Sequence, residues 1–361
     1  MKKLIACFLA AAMALSATAC SSGTASSSQG AESKAADTKT SSAAKSDFKV
    51  SMVTDTGGVN DQSFNQSSWE GLQKLKTETG ANISYMESKQ ESDYATNLDK
   101  AVDGNNKLVW GIGYAMANAV LKAAKENPDI NFAIVDNAYD QTPPNLTGVV
   151  FRAQEPSFLV GYIAAKTTKT NKVGFVGGSK SAVIDQFEWG YKAGVAYGAK
   201  EMNKKVSVVA QYAESFSDSA KGKAITSKMY ASDGCDIVFH AAGNVGTGVI
   251  EAAKEAKKYA IGVDKDQAYL APDNVLTSAL KLVNKAVDDV SKKVMNGEKV
   301  GGTTVNLGLT EDAVGIPTEH KLMGDATYNS AIALEQQIKD KKIVPPATEK
   351  DYNAYVKTLN K

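Results

Sequence analysis

The feature that most constrains the fold is a regular alternation, from Phe48 onward, between short β-branched apolar runs and longer segments with helical periodicity. In one such segment, apolar side chains recur near the 3.6-residue period at Phe64, Trp69 and Leu72. Alternating β and α units predict parallel sheets covered by helices on both faces. The predicted strands are 48–53, 81–86, 107–113, 130–136, 146–151, 171–178, 206–213, 236–243, 259–264 and 275–280, and the clearest helices are 62–79, 186–200, 218–232 and 247–257.

The length of this part, about 300 residues, exceeds what one hydrophobic core usually holds, so we expect two lobes. The first lobe is predicted to comprise residues 48–152 plus about 281–315, and the second 153–280 plus about 316–361. Hinge segments are expected near 152–155, 276–282 and 310–320. The loops after the strands of both sheets would then open toward a shared cleft, as in a clamshell.

The N-terminus has the pattern of a secretory signal. Lys2 and Lys3 precede a short apolar run that ends in small residues at Cys20. The run is similar to a bacterial lipobox, although Ala17 stands where that motif usually has Leu. We expect a signal peptide over 1–19, lipidation of Cys20, and a flexible tether over 20–47 that lacks the large apolar residues of a core. A plain secreted protein, cut near Ala19, is the alternative.

Polar residues at the strand ends are the first candidates for a ligand site. Asp136 and Asp264 each end a predicted strand, and Lys281 is expected to begin a helix. A carboxylate accepts hydrogen bonds from sugar hydroxyls and a lysine donates them. Ordinary helix capping, and a solvated charge at Lys281, are the other interpretations of these residues.

Two aromatic residues lie in polar loops that follow strands. Phe64 comes soon after Asp61 in the stretch 55–72, and Phe216 lies in the Ser-rich loop 212–222 just before a helix that Asp218 would cap. Phenylalanines from opposite lobes would sandwich a flat ring, each face contributing about 0.5–1.5 kcal/mol beyond burial. The alternative is that Asp61 is an N-cap and both rings belong to the core.

Several functional classes find little support. The 41 basic and 40 acidic side chains nearly balance, which argues against nucleic-acid binding. Only His240 and His320 are available as histidine bases, no hydrolase elbow or metal motif is present, and His240 lies in an apolar run typical of a core residue. Since Cys7 would be lost with the signal and Cys20 lipidated, Cys235 is the one unmodified cysteine expected in the mature chain, and we expect it to be buried. The sequence therefore predicts a binding protein without a cofactor rather than an enzyme.

A set of motifs in order resembles the basic membrane protein family of purine-nucleoside-binding lipoproteins. The similarity runs through nearly all of residues 48–300. It is carried by TDTGGVNDQSFNQSSWEGL, VWGIGYAMANAV, NFAIVDNAYD, GFVGGSK with FEWGYKAG, SFSDSAKG, HAAGNVGTGV, GVDKDQ and TSALKLVNKAV.

The resemblance implies a type I periplasmic-binding-protein clamshell, a nucleoside ligand, and the permease and ATPase subunits of an ABC transporter as partners. It also suggests a ligand loop in the first lobe, a carboxylate opposite the sugar or base, a stacking aromatic, a close backbone contact and ribose partners. The ligand loop would consist of Asp55, Asp61, Phe64 and Asn65, and the opposite carboxylate would be Asp136. Phe216 would be the stacking aromatic and Gly243 the close backbone contact. Asp264 and Lys281 would be the ribose partners. Either Phe187 or Asp185 would also face the cleft.

The ligand class is narrowed by one fact of composition, since Arg152 is the only arginine in the chain. Phosphate recognition usually recruits arginine forks or a P-loop, and the GGSKS at 177–181 lacks the P-loop spacing. We therefore expect an uncharged nucleoside, bound by a monomer held to the extracytoplasmic face of the membrane through Cys20. Purine or pyrimidine preference stays open from the residues. Another solute such as a sugar, or a surface receptor without a transport role, is the alternative function.

Overall fold

A computed structural model describes residues 46–359, and two six-stranded sheets form its framework. All ten runs predicted to be strands are strands, with ends that differ by two residues at most. The twelve strands are β1 Lys49–Thr54, β2 Asn82–Met86, β3 Leu108–Ile112, β4 Asn131–Val135, β5 Leu146–Phe151, β6 Lys172–Gly177, β7 Ser207–Tyr212, β8 Ile237–Ala241, β9 Tyr259–Asp264, β10 Val275–Lys281, β11 Thr303–Leu307 and β12 Val314–Gly315.

Ten α-helices connect and cover these strands in the described part of the chain. They are α1 Phe64–Thr79, α2 Asp93–Asp103, α3 Ala117–Glu126, α4 Gln154–Thr167, α5 Ala182–Glu201, α6 Ser219–Lys228, α7 Val245–Ala256, α8 Val283–Met295, α9 Asp325–Lys339 and α10 Glu349–Leu359. A π-helical turn, Met229–Asp233, extends α6. Asp218 caps α6 as predicted, because its side chain accepts a hydrogen bond from the backbone N–H of Lys221.

The two sheets share one strand order. The strand order is β11-β5-β4-β3-β1-β2 in the first sheet and β12-β10-β9-β8-β6-β7 in the second. All pairs are parallel except β10 with the short β12. In both sheets the order reverses between the first strand and the third, where loops diverge and leave a crevice for ligand. In the first sheet this switch position lies between the loops after β1 and β3, and in the second between the loops after β6 and β8.

The chain passes between the sheets three times. It leaves the first sheet after β5, returns from β10 to α8 and β11, and leaves again between β11 and β12. We call each sheet with the helices packed on it a lobe. Helix α8 packs on α1 in the first lobe, whereas α9 packs on α4 and α10 on α5 in the second. The lobe limits given above from the sequence stay a prediction.

The hydrophobic core lies at the centre of the sheets and under the paired helices. Every residue of β3 and of β8 is buried, as expected for strands covered on both faces. Helix α4 is buried along most of its length and lies very close to α5: a Cβ atom on Gly194 would come within 1.9 Å of the carbonyl oxygen of Phe158. Helix α4 follows the first passage of the chain between the sheets, and this close approach holds it against α5 of the second lobe.

Some predictions fall on residues that the structure does not describe. The signal peptide 1–19, Cys20 and nearly all of the tether 20–47 lie outside the described residues. Cys235 lies inside them and is buried, as predicted. Within residues 46–359 no helix is both long enough and apolar enough to cross a lipid bilayer.

Candidate functional site

A cavity with about 510 Å³ of empty space, including its opening, lies between the carboxyl ends of the two sheets. It is bounded by the loops at both switch positions. All ten residues that the sequence suggested as ligand contacts line it: Asp55, Asp61, Phe64, Asn65, Asp136, Phe187, Phe216, Gly243, Asp264 and Lys281. The structure thus brings together residues that are far apart in the chain.

The loop between β1 and α1 is organised around two carboxylates. Asp55 accepts hydrogen bonds from the N–H of Gly57 at 2.9 Å and from Asn65 Nδ2 at 2.8 Å. Asp61 accepts three backbone N–H bonds, from Ser63, Asn65 and residue 66, at 2.8–3.0 Å. Asp61 therefore accepts N–H groups of the first turn of α1, although the N-cap position itself is Ser63, and Asp61 also lines the cavity.

Asn65 has one polar atom left without a protein partner. Its Nδ2 donates to both Asp55 and Asp61, at 2.8 and 3.2 Å, whereas its Oδ1 is buried and has no hydrogen bond within residues 46–359. A buried polar atom without a partner is costly. Asn65 is therefore a lining residue whose amide oxygen has an unused capacity to accept a hydrogen bond.

Lys281 lies between the two lobes. Its Nζ is 2.5 Å from Asp136 Oδ2, and its side chain is only 2% exposed. It also lies 4.8 Å from the ring centroid of Phe64 and 5.7 Å from that of Phe187. The interpretation as a solvated charge is wrong, and so is the placement at the start of a helix. Lys281 is the last residue of β10, and its ammonium group also lies 5.2 Å from the ring centroid of Phe151.

Burial changes the acid–base chemistry of the carboxylates. It raises the pKa of Asp61 to about 6 and that of Asp264 to about 6, although Lys281 partly offsets the effect at Asp264. Burial also raises the pKa of Asp55. Four carboxylates, counting Asp136, thus line a cavity that holds a single ammonium group. A ligand rich in hydrogen-bond donors would compensate these groups for the water they have lost.

The aromatic residues come from different elements. Phe64 is the first residue of α1, Phe187 lies on α5, and Phe216 lies in the loop after β7. Phe216 fits because residue 178 has no side chain: a Cβ on Gly178 would come within 2.2 Å of the Phe216 ring. Of the two residues left open on α5, Phe187 faces the cavity, whereas Asp185 forms an ion pair with Lys180 at 2.5 Å.

Tyr114 is the main lining residue that sequence reasoning missed. It follows β3 in the first lobe, and its ring meets Phe216 of the second lobe edge-on, with centroids 6.4 Å apart. Its place directly after a strand was a usable signal. Val183 and Ile184, at the start of α5, also line the cavity, but apolar residues there resemble ordinary core positions.

Two polar residues considered in the sequence, His240 and Arg152, do not line the cavity. His240 is fully buried, which lowers its pKa to about 4, and its Nε2 is 3.0 Å from Gln267 Oε1. Arg152 pairs with Glu155 and Glu311 where the chain crosses between sheets. Within the described residues no group of three or more His, Cys, Asp or Glu side chains is arranged to hold a metal ion.

Comparison with known families identifies the class of protein. A family model described as ABC transporter substrate-binding protein PnrA-like matches residues 48–349. The chain belongs to this family. The members of the PnrA-like family are solute-binding proteins of ABC transporters rather than enzymes, so the predicted family and the prediction of a non-enzyme are confirmed.

Alignments with related proteins cover most of the chain. A CD4+ T-cell-stimulating antigen of Listeria innocua is 44% identical over 319 residues, which cover 82% of this chain and 87% of the relative. The ABC transporter nucleoside-binding protein BmpA of Lactococcus lactis is 42% identical over 330 residues, 85% of this chain and 92% of the relative. Both alignments therefore cover more than four fifths of this chain and of each relative.

A solved structure supports the fold. An ABC transporter solute-binding protein from Aeropyrum pernix superposes with a TM-score of 0.78 at 25% identity, covering 87% of this chain and 97% of that one. Together with the two parallel sheets, this likeness confirms the type I periplasmic-binding-protein fold.

Proposed function

We propose that this PnrA-like protein binds a nucleoside, with a purine as the first candidate, in the cavity between its lobes and delivers it to an ABC transporter. The observation that carries the proposal is the composition of the cavity. Phe64, Phe187 and Phe216 offer apolar ring surface, and the carboxylates with Lys281 offer hydrogen-bonding groups in the same enclosed space. A nucleoside has a flat base and a hydroxyl-rich sugar, which match these two kinds of surface.

The contacts around Lys281 support separate places for the sugar and the base of the ligand. Lys281 and Asp136 lie close together and Asp264 adjoins them, so donors and acceptors for sugar hydroxyls are concentrated at one place. Phe216 adjoins Tyr114 instead. We place the ribose beside Lys281 and Asp264, and the base against Phe216. The ligand has further contacts with Asp55, Asp61, Asn65 and the backbone at Gly243.

Charge argues against a phosphorylated ligand. Four carboxylates against one lysine, with Asp61 and Asp264 buried, would repel a phosphate dianion, and no arginine lines the cavity in the described part of the chain. The nucleoside-binding protein of Lactococcus lactis, at 42% identity, adds support for an uncharged nucleoside.

A thermal-shift panel tests this proposal. Adenosine, guanosine, inosine, uridine, cytidine, ribose, adenine, and AMP would each be added to the purified protein. A ligand at 100 times its Kd stabilises the folded state by about 2.7 kcal/mol, which is readily measured. We expect at least one purine nucleoside to raise the Tm and AMP to leave it unchanged. A shift with ribose or another sugar but with no nucleoside would overturn the assignment.

We also propose that the lipid anchor at Cys20 holds the protein at the extracytoplasmic membrane face, next to the permease and ATPase of its transporter. The signal-like residues 1–19 and the polar segment after Cys20 support this. Cys20→Ala is expected to abolish incorporation of a labelled fatty acid and to release the protein from the membrane fraction. Cys235→Ala is the matched control and should remain labelled. Equal labelling of both variants would exclude Cys20 as the anchor.

A further inference from the structure

A group of cross-lobe contacts lies beside the cavity but does not line it. The hydroxyl of Tyr269 donates to Gln62 Oε1 at 2.7 Å, and Gln267 Nε2 donates to the carbonyl oxygen of Gln62 at 3.0 Å. Lys265 Nζ and Glu70 Oε1 form an ion pair at 2.5 Å. We call these five residues the rim latch. Each contact joins either the loop before α1 or the second turn of α1, in the first lobe, to the turn after β9 in the second.

The orientation of the Gln267 amide is fixed from within the second lobe. Gln267 is fully buried, and its Oε1 accepts the N–H of Val263 at 2.9 Å. The same oxygen is 3.0 Å from His240 Nε2, so a neutral His240 donates there and Gln267 Nε2 must point the other way. The amide group is therefore held ready to donate across the cleft to Gln62.

The receiving residue, Gln62, has an unusual backbone conformation. Its φ is +57°, in the left-handed region that a non-glycine residue rarely adopts and that costs free energy unless contacts hold it. Gln62 stands between Asp61, which lines the cavity, and Ser63, whose hydroxyl donates to Asp264 of the opposite lobe. Contacts that fix Gln62 thus also fix both of its neighbours.

We propose that the rim latch stabilises the closed form, in which the lobes meet across the cleft as described here, without touching the ligand, and that Gln267 and Tyr269 are positioning residues for ligand binding. The part that concerns ligand affinity rests on the proposed function. The part that concerns closure does not, because the five residues contact each other and not the cavity.

The latch has a quantitative consequence. When the closed form is a minor state of the free protein, the apparent Kd equals the intrinsic Kd divided by the closed fraction. Removing one hydrogen bond of ordinary net strength changes an equilibrium by about 2- to 10-fold. Loss of a latch contact should therefore lower the closed fraction and raise the Kd by the same factor, mainly through faster dissociation, since opening breaks the contact.

Tyr269→Phe is the cleanest test, because the side chain is 55% exposed and only a hydroxyl is removed. Tyr85→Phe is the matched control: Tyr85 is 42% exposed, lies on β2 away from the cleft, and makes no side-chain hydrogen bond within residues 46–359. Spin labels on exposed positions of α1 and α7 report the distance between lobes. We expect the closed fraction of ligand-free Tyr269→Phe to fall about 2- to 10-fold, with an unchanged Tm.

Adenosine binding gives the second measurement. The dissociation rate of Tyr269→Phe should rise by the same factor, and adding Glu70→Gln should increase the effect further. An unchanged closed fraction in both variants overturns the latch, whatever adenosine does. A wild-type protein that binds no nucleoside overturns the proposed function instead, and the ligand-free distances still decide the latch.

Discussion

At the scale of single residues, the most consequential property of the site is its surplus of buried carboxylates. Asp61 and Asp264 have a pKa of about 6 because burial takes them out of water, and Lys281 offsets only part of this cost at Asp264. In an open cleft, water would reach both groups and their pKa would return toward 3.8. Closure of the empty cleft is therefore linked to proton binding.

This linkage predicts that acidification favours the closed form of the ligand-free protein. A carboxyl group whose pKa is raised on closure stabilises the closed form fully below about pH 3.8, and this contribution is lost as the pH rises through about 6. Between about pH 7 and pH 5 the closed fraction should increase. Spin-label distances between the lobes measure it, without ligand present.

Asp264→Asn serves as the comparison, because it removes one of the two groups and leaves the capping of α1 by Asp61 intact. Its pH dependence should be weaker than that of the wild type. Asp61 keeps its raised pKa and burial also raises the pKa of Asp55, so some dependence should persist. A closed fraction that stays constant or falls on acidification would contradict the linkage.

At the scale of elements, the strands were far easier to predict than several of the helices. The apolar runs of β1, β3 and β8 are unmistakable because parallel strands are buried on both faces. Helix α4 was not predicted, since residues 156–165 are all buried and leave no polar face to reveal a period. The edge strand β11 was also missed, because its sequence TTVNL is polar and mostly exposed.

The pairing of α4 with α5 leads to a prediction about stability. Gly194→Ala would place a Cβ 1.9 Å from the Phe158 carbonyl oxygen. The nearest atoms all belong to the backbone of α4, which has little room to relax. We expect the free energy of unfolding to fall by about 1–3 kcal/mol, as for other overpacked interiors. Denaturation in urea, followed by circular dichroism, measures it.

Gly198→Ala on the same helix is the graded control. Its Cβ would lie 3.0 Å from the Ala165 methyl group, a milder contact. The higher helix propensity of alanine, about 1 kcal/mol over glycine, offsets part of that cost. If Gly194→Ala proves as stable as Gly198→Ala, the two helices are not held as closely as described.

At the scale of the whole molecule, the sequence predicted which residues meet but not how they pair. Parallel sheets direct strand-end residues to one edge, so Asp55, Asp136 and Asp264 could be placed near a cleft by topology alone. The ion pair between Lys281 and Asp136, 145 positions apart, depends on how the two lobes close. The same holds for Tyr114 against Phe216, and for Gln62 against Gln267. Patterns along one chain do not specify such contacts.

The three passages between the sheets have a consequence for how the molecule is made. The first sheet is completed by β11, which pairs with β5 only after all the long strands of the second sheet have been synthesised. Until then β5 is an unpaired edge, and α1 lacks its neighbour α8. Neither half can mature alone, and such distant pairings form slowly. If the proposed signal at 1–19 directs export of the unfolded chain, this delay would keep the chain ready for passage through the membrane.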